Sequence, residues 1–231
     1  MTAPAEDPGR SDTTESGSAA PSGIAPDGVV QGAPGAMLLI ISGPSGVGKD
    51  TIIDTLRRRH PRPAYHFVVT CTTRPPRPDE VNGVSYHFLT RERFLGLKAA
   101  GQLLEANEVH GNWYGTPRAE VREWLTKGWD VVLKIDVQGA QFVKETVPHA
   151  LLIFLVPPSL EALFQRLRSR ATESAEQLEL RQRNAAIELG RQGDYDYVVR
   201  NDTDQVERTA QRIDEIVAIE HAARADQRVR V

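Results

Sequence analysis

Gly43-Pro44-Ser45-Gly46-Val47-Gly48-Lys49 sets its outer two glycines with four residues between them and follows the second with a lysine. That spacing lets the backbone turn several N–H groups toward one point, where an anion can sit. The Lys49 ammonium adds a mobile positive charge suited to the outer phosphates of a nucleotide. A helix starting at the lysine would aim its positive end at the same point. An apolar run, Met37–Ile41, precedes the loop, and Ile52, Ile53 and Leu56 follow at helical spacing. Strand, glycine loop, lysine and helix together read as a phosphate-binding loop. The residue after the lysine is ordinarily Ser or Thr, whose hydroxyl meets magnesium. Here it is Asp50, followed by Thr51.

A second cluster is Thr70-Cys71-Thr72-Thr73-Arg74-Pro75-Pro76-Arg77. Two arginines three residues apart on a proline-braced turn suit a small dianion, because each guanidinium can grip two oxygens. Tyr86 and Tyr114 would add phenolic donors. Alone, this is also the pattern of a basic surface turn. In a chain with a phosphate loop it reads as a second phosphate site.

These groups need a frame. Leu38–Ile41, Tyr65–Thr70, Trp129–Ile135, Leu151–Val156 and Tyr197–Val199 read as buried strands. Helical patterns over Lys49–His60, Arg118–Lys127, Gln138–Val147, Ser159–Ser169 and Ala175–Gly190 alternate with them. Val206, Ile213, Ile216, Val217 and Glu220 form one stripe of a last helix. The alternation predicts an α/β fold, a parallel sheet flanked by helices, with ligands beyond the carboxyl ends of the strands. Pro75–Leu104 breaks the rhythm with a Pro-rich turn, a hairpin around Asn82-Gly83 and a short helix over Arg91–Ala100. Arg166–Arg183 is Arg-rich and polar, in the manner of a lid.

With 231 residues, the chain can bury one sizeable core. Its formal net charge of −3 gives no general attraction to nucleic acid, and no apolar run has membrane-spanning length. One cysteine, Cys71, excludes an internal disulfide and fits a reducing, cytoplasmic setting. Residues 1–36, rich in Pro, Gly, Ser and Ala, read as a disordered tail without signal-peptide or transit-peptide features. The organisation expected is a domain over 37–223 and a flexible end over 224–231. Within the domain, the core takes 37–70, 112–165 and 190–223, a small subdomain 71–111, and a lid 166–189.

SGPSGVGK, TTRPPRPDEVNGVSYHF, LLEANEVHGNWYGTPR and IDVQGA together resemble the guanylate kinase family, from about Met37 to Ala222. That resemblance implies transfer of the γ-phosphate of ATP to GMP with Mg2+. It assigns Glu105 to reading guanine, whose N1–H and N2 amine are neighbouring donors, with Thr70 and Thr116 as hydroxyl partners. It gives the GMP phosphate to Arg74, Arg77, Tyr86 and Tyr114. Gly43 to Thr51 would hold the ATP phosphates and Asn201 would lie near the adenine. Arg166, Arg170 and Arg181 would close over the phosphates beside Lys49. Asp136 would lie near magnesium and GMP, and it also suits a helix N-cap.

Two residues depart from the family. Asp50 brings a carboxylate where a hydroxyl is usual, able to ligate magnesium or hold one of its waters. Lys134 stands where the family has an acid, with Glu105, Asp136 or the GMP phosphate as its partner. Two other readings stay open on sequence: a non-catalytic binding module that uses the GMP site, and a kinase of another small phosphate ester. The first usually lacks the lysine and the lid arginines, which this chain keeps.

Overall fold

The structure, a computed structural model, describes residues 28–60, 65–109, 111–169 and 175–231. The expected tail up to residue 27 lies outside the described residues.

In chain order the elements are β1 (Leu38–Ser42), α1 (Lys49–Arg59), β2 (Tyr65–Phe67), β3 (Cys71–Thr72), β4 (His87–Phe88), α2 (Arg91–Ala99), β5 (Leu103–Val109) and β6 (Asn112–Pro117). Then come α3 (Arg118–Thr126), β7 (Asp130–Lys134), α4 (Val137–Thr146), β8 (Leu151–Val156), α5 (Leu160–Ser169), α6 (Ala175–Leu189), β9 (Tyr197–Arg200) and α7 (Val206–Ala223). A short 3-10 turn, Gly190–Asp194, links α6 to β9.

Five parallel strands in the order β2-β7-β1-β8-β9 form the main sheet. Its central strand, β1, is buried on both sides, so its alternating side chains feed two cores. Leu39 and Ile41 pack with Ile52, Leu56, Ile153 and Ile213 on one face. Leu38 and Ile40 pack with Leu125, Leu133, Val143 and Leu152 on the other. Thus α1, α5, α6 and α7 cover one side and α3 and α4 the other. Each buried Leu or Ile contributes roughly 1.5–3 kcal/mol relative to exposure. The β1–β7 register sets Ile41 against Lys134, so the loop after β1 and the end of β7 leave the sheet side by side.

A second, smaller sheet has the order β4-β3-β6-β5 and a core of Cys71, Phe94 and Leu103. Thr90 caps α2 by accepting the Arg93 N–H. Three expectations change here. The strand expected over Tyr65–Thr70 leaves the main sheet after Phe67, because the chain must cross to β3 in the other sheet. The small sheet includes β6, beyond the expected boundary at residue 111. Asn82-Gly83 makes a turn with a single bridge, Asn82 to Tyr86, rather than a ladder. The Asn82 side chain accepts the Phe88 N–H and so satisfies locally what a partner strand would have.

Residues 28–36 and 224–231, both expected to lack structure, pair with each other. Val30 and Val231 exchange two backbone hydrogen bonds of 2.9 Å, and Val229 and Val231 are buried against Leu125 and its neighbours. Two or three valines suffice for this zip, too few to stand out in composition. No helix among the described residues is long and apolar enough to cross a membrane.

Candidate active site

The glycine loop runs from the end of β1 to the start of α1. Gly43, Gly46 and Gly48 all have positive φ, at 142°, 85° and 103°. A Cβ on Gly48 would lie 2.7 Å from Asn201 Nδ2, so only glycine fits. Asn201 is buried and its amide donates to Val47 O at 2.8 Å, while Thr209 donates to its Oδ1. It therefore braces the loop from below. It also lines a hollow of about 320 Å³ with Gly46, Gly48, Thr51, Arg166 and Val206, on the side where an adenine was expected.

Lys49 Nζ donates to Gly43 O at 2.6 Å and Pro44 O at 3.1 Å, folded onto its own loop. Burial lowers its pKa, and Glu188, Asp50 and Asp136 act against that. Glu188 belongs to α6 and accepts the Ser45 N–H at 3.1 Å; burial raises its pKa against the pull of Lys49. A carboxylate of α6 thus takes up a backbone N–H of the glycine loop. Nothing local in the sequence marks Glu188, since only the packing of α6 brings it here. Arg181, two turns earlier on the same helix, donates to Ser45 Oγ at 3.2 Å. Arg166 on α5 donates to Val47 O at 3.1 Å and Thr203 Oγ1 at 3.2 Å. Arg170 lies outside the described residues.

Across the cleft, Glu105 on β5 is 3% exposed. Thr116 on β6 donates to its Oε1 at 2.7 Å and Asn107 to its Oε2 at 2.8 Å. Burial raises the carboxyl pKa to about 7, with Asp136 adding to the rise and the two hydrogen bonds opposing it. Asn107 was not singled out from sequence. Its place two residues from Glu105 on one strand was the available signal, since alternate residues share a face. Thr116 gives its proton to Glu105, so toward a ligand its hydroxyl can only accept. Thr70 is buried at the same cleft.

Arg74 and Glu80 form a fork-to-fork pair with two contacts of 2.5 Å, which raises the Arg74 pKa and lowers that of Glu80. The Arg74 guanidinium also lies 5.0 Å from the Tyr86 ring centre, and Tyr86 meets Tyr114 edge-on. Arg77 gives its backbone N–H to Glu80 and its side chain to the cleft wall. Asp136 caps α4, with its Oδ1 accepting the Gly139 N–H at 2.9 Å.

Lys134 pairs with neither Glu105 nor Asp136. Its Nζ lies 2.5 Å from Asp50 Oδ1 and 4.6 Å from the Tyr86 ring centre. Burial lowers its pKa, but Tyr86 and Asp50 outweigh this and hold it above the usual lysine value. Two connected hollows, of about 170 and 550 Å³, share Asp50, Thr70, Arg77, Tyr86 and Lys134. The inner one joins the glycine loop, Arg74, Glu105, Tyr114, Asp136 and Arg181. The glycine loop and the buried Glu105 carboxylate therefore line one cavity.

A parallel sheet, a glycine loop at the end of its central strand and an arginine cluster beside an inserted sheet define a phosphate-loop kinase fold. The family model described as guanylate kinase matches residues 35–220. The chain is 50% identical over 171 residues to a guanylate kinase of Gloeobacter violaceus, covering 74% of this chain and 82% of that one. It is 46% identical over 185 residues to one of Streptococcus agalactiae, covering 80% and 87%. Among solved structures, guanylate kinase from Anaplasma phagocytophilum matches with a TM-score of 0.67 and 33% identity over 83% of this chain and 89% of that one. The chain belongs to the guanylate kinase family.

Proposed function

We infer that this protein transfers the γ-phosphoryl group of ATP to GMP, giving ADP and GDP. The observation that carries the reading is Glu105. It is a buried carboxylate, braced by Thr116 and Asn107, facing a phosphate loop across one cavity. Guanine offers two adjacent donors to such a group; adenine does not, and would leave the acid unpaired.

In this reading Arg74, Arg77, Tyr86 and Tyr114 hold the GMP phosphate. An oxygen of that phosphate attacks the γ-phosphorus of ATP in line while the bond to the β,γ-bridging oxygen breaks. The transition state spreads charge over the transferred oxygens, so catalysis is alignment and neutralisation. Lys49 supplies one cation, after leaving the carbonyls it now contacts. Arg166 and Arg181, already on the loop, supply others, with Arg170 assigned by family likeness.

Among the described residues no group of three or more His, Cys, Asp or Glu could hold a metal. Magnesium needs no such cage, since it keeps waters and takes phosphate oxygens. The exposed Asp50 and the half-capped Asp136 fit that partial role. When bound, the ion would neutralise and orient the β- and γ-phosphates. The test is ADP release with ATP, Mg2+ and each of GMP, AMP, UMP and CMP. Turnover confined to GMP is expected, and its absence would reject the assignment.

A further inference from the structure

The phosphate-loop motif calls for a hydroxyl at position 50, and this chain has a carboxylate. Uncompensated, that charge would repel the β- and γ-phosphates it must sit beside. Asp50 lies in the first turn of α1 and Lys134 ends β7, 84 residues apart in sequence, yet their charges meet at 2.5 Å. The contact follows from the sheet. Ile41, the residue before β1 ends, is in register with Lys134, so the last side chain of β7 reaches over the loop that leaves β1. Lys134 also lies 4.6 Å from the Tyr86 ring centre, and Tyr86 carries Arg74 on the same ring. Lys134 thus stands at the junction of the two phosphate sites, touching one residue of each.

We propose that Asp50 and Lys134 act as one unit in nucleotide binding, with Lys134 a positioning residue that neutralises and aims the Asp50 carboxylate beside the phosphate loop. The pair carries no net charge, as the hydroxyl it replaces would not. The carboxylate can then meet a nucleotide-bound magnesium ion without repelling the phosphates. This rests on the reading that ATP phosphates occupy the loop.

The experiment measures dissociation constants for ATP, with and without Mg2+, by calorimetry on the native chain, Asp50→Ser, Lys134→Met and the double variant. Melting temperatures are recorded alongside. Lys134→Met removes the ammonium that faces the carboxylate and is expected to weaken magnesium-free ATP binding about tenfold, or about 1.4 kcal/mol. The loss should be smaller with Mg2+ present. The double variant is expected to return within about threefold of the native value, because both charges of the pair are gone. A double variant that binds magnesium-free ATP as weakly as Lys134→Met alone would overturn the proposal, as would a change in melting temperature with no change in ATP binding. If Lys134→Met does not melt cooperatively, Asp50→Ser decides. It leaves the ammonium unopposed and should tighten magnesium-free ATP, and unchanged binding overturns the proposal. A native chain that fails to bind ATP would refute the broader functional reading instead.

Discussion

Thr116 Oγ1 donates to Glu105 Oε1 across 2.7 Å, and this bond, with that from Asn107, holds a carboxylate in a site that burial otherwise makes hostile to charge. Removing the charge while keeping the shape separates its two effects. Glu105→Gln should lower kcat/KM for GMP by roughly 10²–10⁴, because its amide sets a donor against a donor of guanine. Steady-state kinetics with varied GMP would show it. A fall of less than threefold would remove Glu105 from the base site.

The same residue gives a pH dependence with a definite sign. Its pKa in the empty protein is about 7, above that of an unfolded glutamate. Between these values the unfolded chain releases a proton that the folded chain keeps, so rising pH costs stability. Glu105→Gln should therefore melt higher relative to the native protein at pH 8 than at pH 5. GMP favours the ionised form, so its binding near pH 6.5 should release protons, visible by calorimetry in buffers of different ionisation enthalpy. Proton uptake would contradict the argument.

Arg74 is the more firmly held of the two clustered arginines, paired with Glu80 and lying over the Tyr86 ring. Arg74→Ala should raise the KM for GMP roughly 10–100-fold, the worth of a charge-assisted contact or two. Glu80→Gln loosens the fork without removing it, so a rise of only several-fold is expected. Equal effects would mean that Glu80 itself meets the ligand.

Lys49 and Glu188 pull in opposite directions on the loop. Lys49→Ala should reduce kcat by roughly 10²–10³, as loss of one transition-state contact does. Glu188→Gln removes a carboxylate that a phosphate must displace from Ser45 N–H. It should tighten ATP binding by several-fold. Weaker binding would show that Glu188 supports the loop instead of competing for it.

Gly48→Ala meets both a positive φ of 103° and a clash at 2.7 Å with Asn201 Nδ2. ATP affinity should fall at least tenfold, since the loop must shift away from the amide that braces Val47. Asn201→Ala should cost less, because it removes the brace on Val47 without forcing a Cβ onto a positive-φ position.

The glycine loop and the arginine pair could be singled out because each sits in a short run whose spacing suggests anion chemistry, whereas Glu105 stood out only through the family resemblance of its run. Helix bounds were legible for a related reason, as Lys49–Arg59 and Arg118–Thr126 follow local periodicity. What escaped was contact between distant segments. Glu188 reaches Ser45 from 143 positions away, and no local pattern announces it. Lys134 was noticed only as a departure, and its partner depends on which strand lies beside β1. The ordered ends were hidden because a few valines, zipped by backbone bonds, leave composition unchanged.

Cys71 is the sole thiol of the chain and is buried in the small sheet, with its pKa raised to about 11 by burial. Thiol reagents attack the thiolate of an exposed group, so its labelling can proceed only when that sheet opens. The molecule thus carries a built-in clock for the opening of one sheet, readable without mutation. A ligand that rests on the small sheet must slow that clock in proportion to its occupancy.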